Sequence, residues 1–178
     1  MRRFWLLVLL FACAQCPAQA ADDLLDSFIL RPAEVPAGFQ LELEQGEIFR
    51  ELGLSGNPGT ASADSPFVAH LYDHPDRASI SKAQVEIYDK GEDRELGVFS
   101  IEYRSPAALQ NELTKLRRSG DKCFLWKDRY LVIVWSDAGS FSKQVNKLAG
   151  QLQRRLGLTT YIPVLAEEVP SESALPAE

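Results

Sequence analysis

Two apolar runs in the last third of the chain dominate its hydrophobic pattern. Residues 123–126 read Cys-Phe-Leu-Trp, residues 130–135 read Tyr-Leu-Val-Ile-Val-Trp, and three charged residues separate the two runs. Because β-branched and aromatic side chains suit a packed, pleated surface, the pattern predicts an antiparallel hairpin that turns at residues 127–129. The second run is apolar at every position, and such a strand belongs in the middle of a sheet that is covered on both sides.

The segment after the hairpin has apolar residues at a helical period. Between residues 140 and 156 they recur every three or four positions, and Gly157 follows where a left-handed residue ends many helices. The opposite side of this predicted helix carries polar and basic residues, namely Lys143, Lys147, Gln151 and Arg154. A second helix is predicted over residues 105–119, because a Ser-Pro pair is a common helix start and leucines recur at helical spacing behind it.

Alternation of apolar and polar residues predicts the remaining strands. Residues 39–43 and 83–87 alternate clearly, and residues 159–165 are expected to add a strand at the margin of the sheet. Residues 97–104 fit a strand that pairs back on its neighbour, although a helix that begins at Glu95 fits the same spacing.

These elements together predict an α+β fold. We expect a mostly antiparallel sheet with two amphipathic helices, over residues 105–119 and 140–156, packed on one of its faces. Residues 55–66 are rich in Gly, Ser, Asn and Pro, and they are predicted to form a loop that is either a plain connector or a binding loop.

The first twenty residues have the features of a secretory signal peptide. Two arginines precede an apolar run over residues 4–12, and Ala-Gln-Ala at residues 18–20 is a typical cleavage motif. The mature chain is therefore predicted to begin at Ala21 and to be periplasmic or secreted. In the alternative interpretation Cys13 is the modified residue of a lipoprotein, and its lipid would tether the domain to a membrane.

Beyond the signal peptide the chain divides into a domain and a tail. A single domain is predicted over residues 21–165, and a disordered acidic tail over residues 166–178, because the tail combines glutamates with Pro, Ser and Ala.

Charge and cysteine content argue against nucleic-acid binding and against an internal disulfide. The chain has 19 basic and 25 acidic residues and a net charge of −6; removal of residues 1–20 takes away two arginines and no acid, which leaves 17 against 25 and a net charge of −8. Such an acidic domain is not expected to bind nucleic acid, since that affinity rests on neutralising phosphates. Cys123 would be the sole cysteine of the mature chain, so no internal disulfide is expected.

Residues 85–89 and 96–100, followed by the hairpin and the last helix, resemble a family of uncharacterised exported bacterial proteins. The resemblance covers residues 83–157. It implies a small α+β domain in the bacterial envelope, and it implies no catalytic residue.

The two histidines of the chain raise the possibility of a metal site. His70 and His74 stand beside Asp73 and Asp76, but Pro75 argues against the helix that would put both imidazoles on one face. In a strand the two histidines would lie roughly 13 Å apart, too far to share an ion, whereas a turn would bring His74 and the two aspartates together. We therefore treat these four residues as the candidate metal ligands.

Other candidate chemistry is sparse. Cys123 lies in an apolar strand, where a free cysteine is usually a small buried hydrophobe rather than a nucleophile, and no catalytic residue is predicted. The chain is rich in aromatic residues, and the hypothesis for a ligand-binding sheet face or cleft rests on five of them: Tyr88, Tyr103, Trp126, Tyr130 and Trp135.

Three functions are compatible with these observations. The first is an envelope module that binds a small ligand or another envelope protein, with no cofactor and no catalysis. The second is a metal-binding or hydrolytic enzyme that uses the turn at His70 and His74. The third is a structural subunit of an envelope complex.

Overall fold

The fold is known here from a computed structural model, which describes most of the domain. The described residues are 24–42, 53–54, 56–66, 68, 75–91, 94–116, 121–137 and 139–162. The predicted signal peptide, Cys13 of the alternative lipoprotein interpretation and the predicted acidic tail all lie outside these ranges.

One antiparallel sheet of seven strands forms the centre of the fold. Its order is β1-β3-β4-β6-β5-β7, and β2 pairs with β3 beside β1. The strands are β1 (Gln40–Leu41), β2 (Gly59–Ser62), β3 (Ile80–Asp89), β4 (Glu95–Tyr103), β5 (Lys122–Lys127), β6 (Tyr130–Ser136) and β7 (Thr159–Tyr161). The described helices are α1 (Pro106–Leu113), α2 (Ser142–Leu156) and three short 3-10 helices (Leu24–Phe28, Arg77–Ser79 and Gly139–Phe141). The α+β class and the mostly antiparallel sheet are thus confirmed.

The predicted hairpin is confirmed as β5 and β6. Lys127 pairs with Tyr130, and Asp128 in the turn has a φ of 55°. β6 lies between β4 and β5 with both of its faces covered, as its unbroken apolar sequence predicts. The choice left open at Glu95 is also decided, because β4 is a strand that pairs with β3 over its whole length.

The helix predictions are confirmed in kind, with different bounds. α1 begins at Pro106, and the hydroxyl of Ser105 accepts a hydrogen bond from the backbone N–H of Ala108 at 3.1 Å. α2 begins at Ser142 after a 3-10 turn and ends at Leu156, and the φ of 63° at the following Gly157 is left-handed as expected. None of the helices in the described ranges has both the length and the apolarity needed to cross a membrane.

The prediction that both helices pack on one face is wrong. The apolar side of α1 joins a cluster with Leu131 and Ile133, whereas that of α2 joins a separate cluster with Val132 and Val134. Since successive side chains of a strand point to opposite faces, the two helices lie on opposite sides of β6. Each apolar face of this strand is thus covered by a different helix.

The N-terminal segment, residues 24–42, completes the cover on the α2 face. It contributes four buried side chains to the cluster that α2 joins: Leu25, Phe28, Leu30 and Phe39. It also supplies β1, which pairs with Tyr88 and Asp89 at the end of β3. The N-terminal segment and α2, which are far apart in sequence, therefore cover this side of the sheet together.

The loop predicted over residues 55–66 contains a strand. β2 pairs with residues 82–85 of β3, and Gly59 and Ala61 are buried there. Its sequence, Gly-Thr-Ala-Ser, has no strong apolar alternation, so the pairing is imposed by the neighbouring strand rather than by local preference.

Candidate functional site

An apolar pocket opens where the N-terminal segment meets the β1–β3 margin of the sheet. Its volume is about 360 Å³, within the range of small-molecule sites. Seven of its eight lining residues have no polar group in the side chain: Ile29, Leu30, Pro32, Val35, Phe39, Leu41 and Pro58. The eighth is Tyr88, which is 5% exposed.

The side chain of Asn57 holds one wall of this pocket. β1 and β2 pair with different parts of β3, and the Asn57 amide fills the gap between them. It donates to the carbonyl oxygens of Glu42 and Ile87 at 2.9 and 2.7 Å and accepts from the Ile87 N–H at 3.1 Å. Pro58, which follows, is thereby fixed against the margin of the sheet.

A buried carboxyl group lies behind the pocket. Glu86 is 2% exposed, and its Oε2 accepts hydrogen bonds from the hydroxyl of Tyr88 at 2.7 Å and from the backbone N–H of Leu30 at 3.0 Å. Both donors belong to residues that line the pocket. The Glu86 carboxyl therefore links the N-terminal segment to β3. The hydroxyl hydrogen of Tyr88 is already donated to this carboxyl group.

This environment shifts the titration of both side chains. Burial raises the pKa of Glu86, while the bonds from Tyr88 and Leu30 and the positive charge of Arg155 act to lower it. Burial, and then the nearby Glu86, raise the pKa of Tyr88. Tyr88 is consequently neutral at physiological pH, and its hydroxyl donates to Glu86.

Arg155 of α2 fastens the N-terminal segment from the other side. Its Nε donates to Glu34 Oε1 at 2.8 Å, Nη1 donates to the carbonyl of Ser27 at 2.6 Å, and Nη2 donates to that of Ile29 at 3.1 Å. The side chains of Arg155 and Glu34 are only 13% and 12% exposed. We call Arg155 and Glu34 the clasp, since together they hold the pocket-forming segment onto the last helix.

The five aromatic residues predicted to bind a ligand do not form one cleft. Tyr88 and Tyr130 belong to the cluster on the α2 face, whereas Tyr103 and Trp126 belong to the cluster on the α1 face. Tyr103 is fully buried, and Tyr130 is 8% exposed with its ring 5.7 Å from that of Phe28. Only Tyr88 lines the pocket.

Trp135, the fifth of these aromatic residues, packs over a glycine of β4. Trp135 pairs with Gly97 across the sheet, and its ring centroid lies 5.3 Å from that of Phe99. A Cβ on Gly97 would lie 2.2 Å from the indole nitrogen, so only glycine fits beneath the ring. The indole N–H is buried and has no hydrogen-bond partner among the described residues.

The candidate metal ligands are described only in part. His70, Asp73 and His74 lie outside the described residues, so the metal site stays a prediction. Asp76 caps the 3-10 helix that follows it by accepting from the Ala78 N–H at 3.1 Å. Within the described ranges, no group of three or more His, Cys, Asp or Glu side chains is placed to hold a metal ion.

Cys123 is half-buried on the α2 face, and burial raises the pKa of its thiol. A thiol with a raised pKa is a poor nucleophile at neutral pH, because the thiolate is the reactive form. The environment of Cys123 thus agrees with its interpretation as a small hydrophobe.

Comparisons with known proteins add no family. Neither the family models, nor the curated proteins, nor the solved structures gave a match to this chain. The resemblance to exported bacterial proteins stays a prediction.

Proposed function

We propose that this chain is an exported envelope protein whose domain binds a small, mainly apolar ligand without catalysing a reaction. The observation that supports ligand binding is the pocket of about 360 Å³ between the N-terminal segment and Tyr88. Export is supported by the signal-peptide features of residues 1–20 and the predicted cleavage before Ala21.

The lining favours a neutral ligand. Tyr88 is the one lining residue with a polar side chain, and its hydroxyl hydrogen is already donated to Glu86. A carboxyl group behind the wall repels an anionic ligand whenever it is ionised, and no lining residue carries a charge to neutralise one. Acyl, isoprenoid or aromatic groups have the chemistry that such a wall accepts.

Binding of Nile red, a neutral fluorescent probe, tests the pocket. The protein from Ala21 onwards should bind the probe saturably, and Val35→Trp, which fills the pocket with an indole, should weaken binding at least tenfold. Ile162→Trp adds the same indole at a position that is 70% exposed and outside the pocket, so it should leave binding unchanged.

Three outcomes would contradict this proposal. They are the absence of saturable binding, equal binding by the two tryptophan variants, and tighter binding of an anionic probe such as anilinonaphthalene sulfonate than of Nile red. Export is tested separately, since a periplasmic or secreted product with an N-terminus at Ala21 is expected and a cytosolic product that keeps residues 1–20 would contradict it.

A further inference from the structure

We propose that the acidic C-terminal segment, residues 163–178, docks on the outer side of α2. The outer side carries a row of three cations, Lys143, Lys147 and Arg154, which we call the basic stripe. All three side chains are exposed, and none of them forms an ion pair or a hydrogen bond with another described residue. The 15 residues of α2 include no acid, although the whole chain has a net charge of −6.

The geometry of the helix makes the basic stripe narrow. At 100° per residue, the three cations fall within about 40° of arc, and the stripe runs for roughly 16 Å along the helix axis. Arg155 differs from the three cations of the basic stripe, because it points to the N-terminal segment and makes three hydrogen bonds there. The basic stripe is therefore a narrow row of three positive charges, and α2 supplies no acid to neutralise them.

The path of the chain leads toward the basic stripe. β7 runs antiparallel to β5, with Thr159 beside Trp126 and Tyr161 beside Phe124, so it returns toward the end of β5 where α2 begins. α2 lies over β5 and β6. The chain thus leaves Ile162 at the margin of the sheet beside β5, which is one of the two strands that α2 covers.

The sequence that follows has the complementary charge and spacing. Residues 163–178 include four glutamates and no basic residue. Glu167 is five residues past Ile162, a reach of up to about 17 Å, and the outer surface of a helix lies roughly 15 Å above the sheet it covers. From Glu167 to Glu172 an extended chain also spans about 17 Å, which matches the length of the basic stripe.

Covalent linkage makes this contact effective although each charge pair is exposed. A short connection holds the segment near the stripe at a local concentration on the order of millimolar, so weak pairs suffice. Because exposed charges are screened beyond about 8 Å at physiological ionic strength, the contact should weaken sharply with added salt. While docked, the segment would keep the basic stripe from binding other anionic surfaces.

Amide chemical shifts of the chain from Ala21 to Glu178 test this contact. Neutralising two tail charges with Glu167→Gln and Glu168→Gln should shift amides along residues 143–154 in low salt, and the differences should vanish in 0.5 M NaCl, a roughly 4 Å screening length. The control Asp64→Asn with Asp76→Asn removes two exposed charges away from α2, Asp76 lying beside Glu112 of α1 on the opposite face, and should leave those amides unchanged. Equal shifts in both variants, or none in either, would overturn the proposal.

Vesicles of anionic phosphatidylglycerol separate this contact from a membrane-binding surface. If the tail covers the basic stripe, the Glu167→Gln, Glu168→Gln variant should bind these vesicles several-fold more tightly than the charge-matched control variant. If the two variants bind equally, the stripe is open in the parent protein, and the docking proposal is wrong.

Discussion

Replacing Arg155 with alanine is the sharpest test of how the pocket is built. The change removes the clasp and leaves the Glu34 carboxylate and the carbonyls of Ser27 and Ile29 without their shared partner. The neighbouring Arg154→Ala is a matched control, because it removes the same side chain from an exposed position of the same helix.

The expected cost follows from burial of the clasp. Removing one partner of a buried ion pair costs about 3–5 kcal/mol, since the other charge stays behind unpaired. Both side chains keep about an eighth of their surface exposed, at 13% and 12%, so water offsets part of the loss and we expect the lower end. The free energy of unfolding should therefore fall by about 3 kcal/mol for Arg155→Ala and by less than about 0.5 kcal/mol for Arg154→Ala.

Urea unfolding measures this difference directly. With an m-value of about 2 kcal/mol/M, the midpoint of Arg155→Ala should fall by about 1.5 M without a change of m. The variant should also bind Nile red more weakly, and the pKa of Glu86 should rise because the positive charge of Arg155 acts to lower it. The clasp has no structural role if Arg155→Ala unfolds at the same urea concentration as Arg154→Ala.

Three further predictions concern single side chains. Burial raises the pKa of Glu86 above its usual 4.5, so the folded state holds this proton more tightly than the unfolded chain. The resulting stabilisation is complete below about pH 4.5 and is lost as the pH rises through the folded-state pKa. In chemical denaturation at pH values from 8 down to 4.5, the free energy of unfolding of the parent should therefore rise relative to that of Glu86→Gln. A difference between the two free energies that does not change with pH would contradict this. Gly97→Ala should lower the free energy of unfolding by about 1–3 kcal/mol in urea titrations, because its Cβ would lie 2.2 Å from the Trp135 indole. The helical control Gly150→Ala, whose Cβ meets only an arginine tip at 3.5 Å, should be neutral or stabilising, and equal losses would refute the steric explanation. Cys123 should react with a disulfide reagent at pH 8 much more slowly than in the urea-unfolded chain, and equal rates would contradict its burial.

The hydrophobic pattern predicted the sheet well but not which helix covers which face. β6 is apolar at consecutive positions, so its sequence predicts that both of its faces are covered. The apolar sides of α1 and α2 fit either face equally well, and local sequence holds no information about which one each helix takes. The choice depends on the path of the chain between strands, which periodicity does not encode.

The pocket could not be predicted from the sequence, for a related reason. Glu86 alternates with apolar neighbours in β3, a pattern typical of a strand with a wet polar face. Its burial depends on the N-terminal segment, 56 residues away at Leu30, which folds over that face. The one sequence signal for the burial of Glu86 was Tyr88. It follows Glu86 by two positions and therefore lies on the same side of the strand, where its hydroxyl can donate to a buried carboxylate.

The two margins of the sheet have a consequence for self-association. β1, β2 and β7 contain two, four and three residues, whereas the inner strands contain six to ten. A long bare strand would offer a row of backbone groups onto which a second molecule could extend the ladder. Beside β3 the row is divided between two short pieces with a side-chain amide in the gap, so a copy of the chain meets no uninterrupted template in the described part of that margin. We expect the domain to resist edge-to-edge growth of the kind that leads to fibrils, even though its central strand is among its most apolar sequences.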